Sequence, residues 1–517
     1  MRAAAIAAAA LLAAMPLAAG SVAVAQHAAL ATASPYATRA GLDIMRRGGN
    51  AIDAAVAVAL ALAVAHPESG NIGGGGFLVY WEAATQSVWT LDFREVAPAA
   101  TTRDMFSGKA PREGAIAAGV PGTVAGLAAM HARFGKLAWK DLVAPAIELA
   151  QDGVRINRKS VFVPDPSQVF VQKQLAATLR RIADKGAADF YDGEIAAHIV
   201  EDVRAGGGVI SLRDLRDYKP VWRAPLKVTF REYDIYTLPP PSAAGLMIGE
   251  ELNILSGFDL KSAGFGSAMF IHLLAEAGRR AAIDRDRYVG DPTTLRTPYR
   301  DLLSIERANH WRASIDLQHA TPTITLGEPA STVTASAHTT HFSIVDEAGN
   351  IAAVTTSLGD DFGSGFVVAQ GGFLLNNAMQ DFALKEPSPN MIASGRRMAS
   401  SASPAIILRR GQPYLVLGTA GGAAIPNLVL QTFLNVALYG KSLSDAVNAA
   451  RFDQQAAPED IAYENLRMPA ETVARLRAMG HGMRNSDSLG DMQALMIDSK
   501  RITAVADPRY GGAAGGF

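Results

Sequence analysis

The stretch Ala337-His338-Thr339-Thr340-His341-Phe342-Ser343-Ile344-Val345 marks a change of texture in a chain of 517 residues. Before it, residues 314–338 are polar and rich in Thr, Ser and Ala, which reads as exposed loop. After it, His341–Val345, a turn over Asp346-Glu347-Ala348-Gly349-Asn350 and the run Ile351–Leu358 predict a β-hairpin. With the turn centred on residue 348, antiparallel pairing sets Thr339 opposite Ser357 at the open end, hydroxyl beside hydroxyl. Thr and Ser are common at strand ends, so the pair taken alone also fits an ordinary hairpin.

Both sides of this boundary mix helices and strands. Upstream, Ala37, Ala40, Leu42 and Met45 have helical spacing, Gly48-Gly49-Asn50 makes a stop, and Ala51–Ala65 restarts as helix. Phe77–Trp81 and Val88–Phe93 predict a second hairpin. Residues 122–204 read as mostly helical, Ser211–Tyr218 as a short capped helix, Leu226–Leu238 as strands and 245–313 as helix. Pro239-Pro240-Pro241-Ser242 reads as a rigid extended connector. Downstream, strands at Gly371–Leu375, Ala405–Leu408 and Tyr414–Leu417 precede helices at Asn427–Tyr439, Leu443–Ala450 and Ala470–Met479. This points to one layered α/β unit.

Composition excludes several classes. Hydrophobic residues make up 49% and charged residues 19%, enough for a large core and unlike a disordered chain. The 48 basic and 49 acidic residues leave a formal charge of −1 with no basic stripe, which argues against nucleic-acid binding. There is no cysteine, hence no disulfide, thiolate metal site or cysteine nucleophile. The ten His are scattered and no HExxH occurs, so neither a metal nor another cofactor is expected. The glycine run Gly73–Gly76 lacks a following Lys-Ser/Thr, which speaks against a P-loop, and there is no G-x-S-x-G elbow. Arg2, the apolar run Ala3–Gly20 and the small-x-small pattern Ala23-Val24-Ala25 have the order of a secretory signal, with the mature chain starting near Gln26. An uncleaved anchor helix is the alternative. The expected location is periplasmic or secreted.

Several ordered motifs carry a resemblance. They are Gly48-Gly49-Asn50-Ala51-Ile52-Asp53-Ala54-Ala55, His66-Pro67 through Gly73-Gly74-Gly75-Gly76-Phe77, Asp92-Phe93-Arg94-Glu95 and Gly119-Val120-Pro121-Gly122-Thr123-Val124. Pro239-Pro240-Pro241-Ser242, Thr339-Thr340-His341, Leu375-Asn376-Asn377, Ser400-Ser401, Gly421-Gly422 and Asp507-Pro508-Arg509 follow. Together they resemble the γ-glutamyltranspeptidases, members of the N-terminal-nucleophile hydrolases, over nearly the whole mature chain.

The resemblance implies an α/β chain folded as a four-layer αββα sandwich that cuts itself between His338 and Thr339. Residues 1–25 would be the signal, 26–338 the large subunit and 339–517 the small subunit, the last two forming a heterodimer. The freed α-amine of Thr339, with a reference pKa of about 7.7–8.0, would act as base for the hydroxyl of the same residue. By the same resemblance Arg94, Ser400 and Ser401 hold the substrate α-carboxylate and Asp381 its α-ammonium. Gly421 and Gly422 supply the oxyanion hole, and Ser357 assists the nucleophile in place of the family's Thr. The implied activity is transfer of a γ-glutamyl group from glutathione or a related amide to water or an amine. The alternatives are a glutaryl-type acylase, such as a cephalosporin acylase, and a non-catalytic binding protein on the same scaffold.

The sequence departs from the family at three points. Gly359 stands where Asn is common, and Ala378 where Gln or Glu is common; both usual side chains help bind the substrate α-amine. Only 19 positions separate Asp381 from Ser400, too few for the lid loop of some members, so an open site is expected. Weaker γ-glutamyl binding is expected; the alternative is that Asp360, Asp361 or Gln380 replaces the missing groups.

Overall fold

A computed structural model describes residues 22–106, 111–156, 165, 168–327 and 338–517. Most of the expected leader, through Ser21, and the stretch 328–337 lie outside them. Two seven-stranded antiparallel sheets stack face to face. The first runs Ala513–Gly516, Ala29–Thr32, His338–Val345, Ile351–Gly359, Gly75–Glu82, Ser87–Asp92, Val221–Arg223. The second runs Val22–Ala25, Ile502–Ala506, Gln493–Ile497, Gln412–Leu417, Ala405–Arg409, Tyr233–Thr237, Leu226–Phe230. Each sheet therefore takes strands from both sides of residue 339.

Period-two alternation sorts side chains between layers. In the strand Ala405–Arg409, Ile406 and Leu408 point into the inter-sheet core with Phe77, Val79, Ile351 and Ala353. Its neighbours Ala405 and Ile407 face outward onto the helices Ala244–Leu255, Ala268–Tyr288 and Ile425–Ala437. On the first sheet Phe342, Ile344, Ala352 and Val354 face the other way, onto a core shared with Pro35–Arg46 and Ala51–Ala65. Helices thus cover both outer faces, which is the expected αββα sandwich.

The helix Ala51–Ala65 is buried along its whole length, so its one charge must be satisfied in place. Asp53 closes a capping box with Asn50 and also accepts from the backbone N–H groups of Lys136 at 2.9 Å and Leu137 at 3.3 Å. The other expected elements are present, with shifted ends. Ser211 caps Leu212–Asp217 through the same box with Asp214. The strand expected at Gly371–Leu375 shrinks to Phe373–Leu374, paired with Val367–Val368.

Two local expectations need correction. The Pro-rich connector turns instead of running straight, because Ser242 N–H bonds the Pro239 carbonyl at 3.2 Å. Ser242 then lies beside Ser400 in a parallel bridge. The loop after residue 313 includes a 3-10 turn at Thr323–Leu326, anchored by the buried Thr323 hydroxyl on the Ala456 carbonyl. Val22–Ala25, the last residues of the expected leader, pair as an edge strand with Ile502–Ala506. Among the described residues no helix is long and apolar enough to cross a membrane.

Candidate active site

The hairpin His338–Val345 and Ile351–Gly359 pairs Thr340 with Thr356 and His341 with Thr355, the register expected from the turn. The register slips between His338 and Thr340, because His338 pairs with Gly359. Between these two pairs Thr339 alone stands opposite Ser357 and Leu358, so the strand Ile351–Gly359 carries the extra residue of a bulge, a device that re-aims side chains at a strand end. Thr339 Oγ1 donates to Ser357 Oγ at 3.3 Å, and Ser357 Oγ accepts from Gly359 N–H at 2.9 Å.

One cleft, with about 620 Å³ of empty space that includes open solvent, is lined by Thr339, Ser357, Arg94, Asp381, Ser400, Ser401 and Gly422 together. Seven of the eight expected catalytic and binding residues thus converge from distant parts of the chain. Gly421 precedes Gly422 but is not among the lining residues. Its φ of +132° and the +59° of Gly422 lie where side chains are strained, which explains the glycine pair. They start the 3-10 turn that leads into the helix Ile425–Ala437.

Arg94 is held from every side. Its backbone N–H bonds Asp92 Oδ1 at 2.9 Å, and its carbonyl accepts from Tyr218 Oη and Arg397 Nη1, both at 2.9 Å. Its guanidinium donates to Asp381 at 2.5 Å and to Glu95 at 3.1 Å. Burial works to lower the Arg94 pKa, but Glu95, Asp381 and Asp92 outweigh it and keep the side chain charged. Burial pushes the Glu95 carboxyl up, opposed by Arg94. Ser400 and Ser401 follow on the adjacent wall, and neither hydroxyl donates to a described residue; Ser400 N–H is fixed to the Pro241 carbonyl at 2.9 Å.

The glycine run is a packing device. A Cβ on Gly76 would come within 2.4 Å of the Thr355 carbonyl, and one on Gly75 within 2.7 Å of Glu95. Both glycines line the cleft. Sequence reasoning also missed Ala243, Arg285, Val289, Thr355, Ala399 and Ile425 on its walls. Arg285 lay inside a stretch read only as helix, and nothing in that pattern separates a lining residue from a core one.

His341 lies buried under the strand. Ser343 Oγ gives its proton to the Gln493 carbonyl at 2.9 Å, so it must accept from His341 Nε2 at 3.0 Å. That leaves His341 Nδ1 as acceptor for the Thr355 hydroxyl at 2.8 Å. Burial holds this imidazole neutral, with its pKa pushed down to about 3.

Neither Gly359 nor Ala378 lines the cleft. Of the expected substitutes, Asp360 is committed elsewhere. Its Oδ2 accepts from Asn377 and Gln380, each at 3.1 Å. None of Asp360, Asp361 and Gln380 lines the cleft. The segment 382–398 contributes no lining residue.

The family model for γ-glutamyltranspeptidase matches residues 37–517. The chain is 36% identical to a glutathione hydrolase proenzyme of Escherichia coli, covering 94% of this chain and 91% of the relative. A protein of the same name from Pseudomonas aeruginosa is 38% identical, covering 93% of each. Among solved structures, a cephalosporin acylase from Bacillus halodurans superposes with a TM-score of 0.88 at 27% identity, over 96% of this chain and 97% of that one. A γ-glutamyltranspeptidase from Pseudomonas nitroreducens, solved with L-DON, gives 0.53 at 37% identity, over 56% of this chain and 94% of its own. With its αββα sandwich and these relatives, the chain belongs to the γ-glutamyltranspeptidase family of N-terminal-nucleophile hydrolases.

Proposed function

We propose that this enzyme is an exported precursor that cuts itself between His338 and Thr339 and then transfers γ-glutamyl groups through Thr339. The observation that carries the reading is the Thr339 hydroxyl, bonded to Ser357 opposite a bulge and sharing one cleft with Arg94 and Asp381. In the first reaction Thr339 Oγ1 attacks the His338 carbonyl carbon. The peptide C–N bond breaks as the ester forms, and water hydrolyses the ester to give a His338 carboxylate and a free Thr339 α-amine. The relatives' names, glutathione hydrolase proenzyme, support such a processing step.

In the second reaction the α-amine takes the Oγ1 proton as the oxygen attacks the donor's γ-carbonyl. The Gly421 and Gly422 amides face the oxyanion, and the protonated amine returns the proton to the leaving nitrogen. Water or an acceptor amine then releases the γ-glutamyl group by the same steps reversed. The donor's α-carboxylate binds Arg94, Ser400 and Ser401, and its ammonium takes Asp381, so the zwitterion inserts into the existing Arg94–Asp381 pair. Glutathione or a similar γ-glutamyl amide is the donor class. The large and small pieces remain as a heterodimer in the periplasm or outside the cell.

The expected gel shows two bands, and N-terminal sequencing of the smaller one reads Thr-Thr-His-Phe. Thr339→Ala should stay a single inactive chain. A single uncut wild-type chain with full activity would sink the scheme.

The missing polar groups at Gly359 and Ala378, together with the acylase-like architecture, favour a second reading in which glutaryl donors are also accepted. Losing hydrogen bonds to a charged group costs roughly 1.5–3 kcal/mol each, less where water fills the gap. Comparing kcat/KM for a γ-glutamyl anilide and the matching glutaryl anilide decides between them. A γ-glutamyl preference above about a thousandfold, roughly 4 kcal/mol, would reject the second reading; near-equal rates would favour it and leave the Thr339 chemistry intact.

A further inference from the structure

Arg285 is in the last turn of the helix Ala268–Tyr288 and lines the cleft that contains Thr339, Arg94 and Gly422. It is 6% exposed, so its charge must be met by partners. Asp286 takes Nε at 2.7 Å and Gln455 takes Nη1 at 2.6 Å. Nη2 donates to no described residue.

The acyl part of a γ-glutamyl donor has one carboxylate and one ammonium, already matched by Arg94 with Ser400 and Ser401, and by Asp381. Among the cleft's charged residues Arg285 is a second cation with no counterpart in that group. Its position is tied to the glycine loop that the proposed mechanism uses. Gln455, which accepts from Arg285, also donates to the Ala423 carbonyl at 3.2 Å, directly after the Gly421–Gly422 pair. Apolar Ala243, Val289 and Ile425 line the same cleft and suit the uncharged body of a leaving amine.

We propose that Arg285 binds a carboxylate on the leaving amine, so that the enzyme favours γ-glutamyl peptides ending in a free carboxylate over donors with neutral leaving groups; this rests on the acyl-transfer reading above. A guanidinium with a spare Nη donor is suited to a carboxylate. The competing role is positioning alone, through Gln455 onto the glycine loop. That role would slow every donor alike.

The test compares two donors of equal shape, γ-glutamyl-3-carboxyanilide and γ-glutamyl-3-carbamoylanilide. The wild-type enzyme is expected to favour the carboxylate by about tenfold or more in kcat/KM, as for a charge-assisted hydrogen bond. The preference should narrow with rising salt. Arg285→Gln should bring the two donors within about twofold of each other, and Arg285→Lys should keep part of the preference. No preference in the wild type overturns the proposal, as does a preference that survives Arg285→Gln or a variant that slows both donors by one factor. Should Arg285→Gln fail to cut itself, the wild-type ratio and its salt dependence decide. If the processed enzyme cleaves neither anilide, the γ-glutamyl reading itself falls; if it cleaves both equally, only the Arg285 assignment falls.

Discussion

Arg94 shows how strongly one side chain can be committed before any substrate arrives. It neutralises two buried carboxylates, Glu95 and Asp381, and its backbone is fixed at both ends. Arg94→Ala strands those acids, so it should cost roughly 3–5 kcal/mol of stability, as breaking a buried pair does. It should also lower kcat/KM for the γ-glutamyl donor by well over tenfold while self-cleavage proceeds; urea titration and donor kinetics read the two effects separately. The Arg94–Asp381 pair was not legible in the sequence, because nearly 300 residues of chain separate its members and only the fold brings them together. The facing of Thr339 and Ser357 was legible, because a hairpin's register follows from its turn. The bulge was not, because a one-residue slip at a strand end leaves no mark on the hydrophobic pattern.

His341 gives a pH signature at the same scale. Its folded pKa, about 3, lies below the unfolded value of about 6.5, so the unfolded chain takes up the proton first. The neutral imidazole's contribution is complete above pH 6.5 and is lost as pH falls from 6.5 toward 3, by about 1.4 kcal/mol per pH unit. His341→Asn removes this term. Between pH 7 and pH 5 the stability gap between wild type and variant should therefore shrink by about 2 kcal/mol. A gap that stays constant with pH would show that His341 is not held neutral in the fold.

At the scale of elements, the helix Ala51–Ala65 depends on Asp53. The side chain supplies the capping box and satisfies the Lys136 and Leu137 amides of a neighbouring loop. Asp53→Ala should cost about 2–4 kcal/mol, a lost cap plus buried N–H groups left unpaired. Chemical denaturation of the variant checks it, and a change within experimental error would mean water replaces the carboxylate. The helix itself was readable from its apolar run and the Gly-Gly-Asn stop before it. The role of Asp53 as the cap of that helix was not legible, because its loop partners Lys136 and Leu137 lie far along the chain. The Pro239–Ser242 turn was misread because the composition of the segment reports stiffness, not direction. The partners that bend it, Ser400 and Ala402, belong to a distant loop.

At the scale of the molecule, both sheets interleave strands from the two sides of residue 339. Neither proposed piece holds a complete sheet, so separating them exposes both cores at once. The cut enzyme should therefore elute as one particle in gel filtration and unfold in a single transition at which both pieces dissociate together. Separation under native conditions would count against the shared sandwich. A layered α/β unit was legible because helical and period-two patterns alternate on both sides of the boundary, whereas the count of four layers came only from the family resemblance. The order of strands was not, since sequence pattern says which face a residue takes but not which neighbour its strand finds.

The place of the strand His338–Val345 has a further consequence. It lies inside the first sheet, between Ala29–Thr32 and Ile351–Gly359. Chain ends usually fray because nothing pins them. Here the proposed cut would make a chain end that neighbouring strands already clamp just past the new amine. The entropy of immobilising that amine beside its own hydroxyl is spent during folding, while the bond is still intact, so the reaction begins with nucleophile and base already in register.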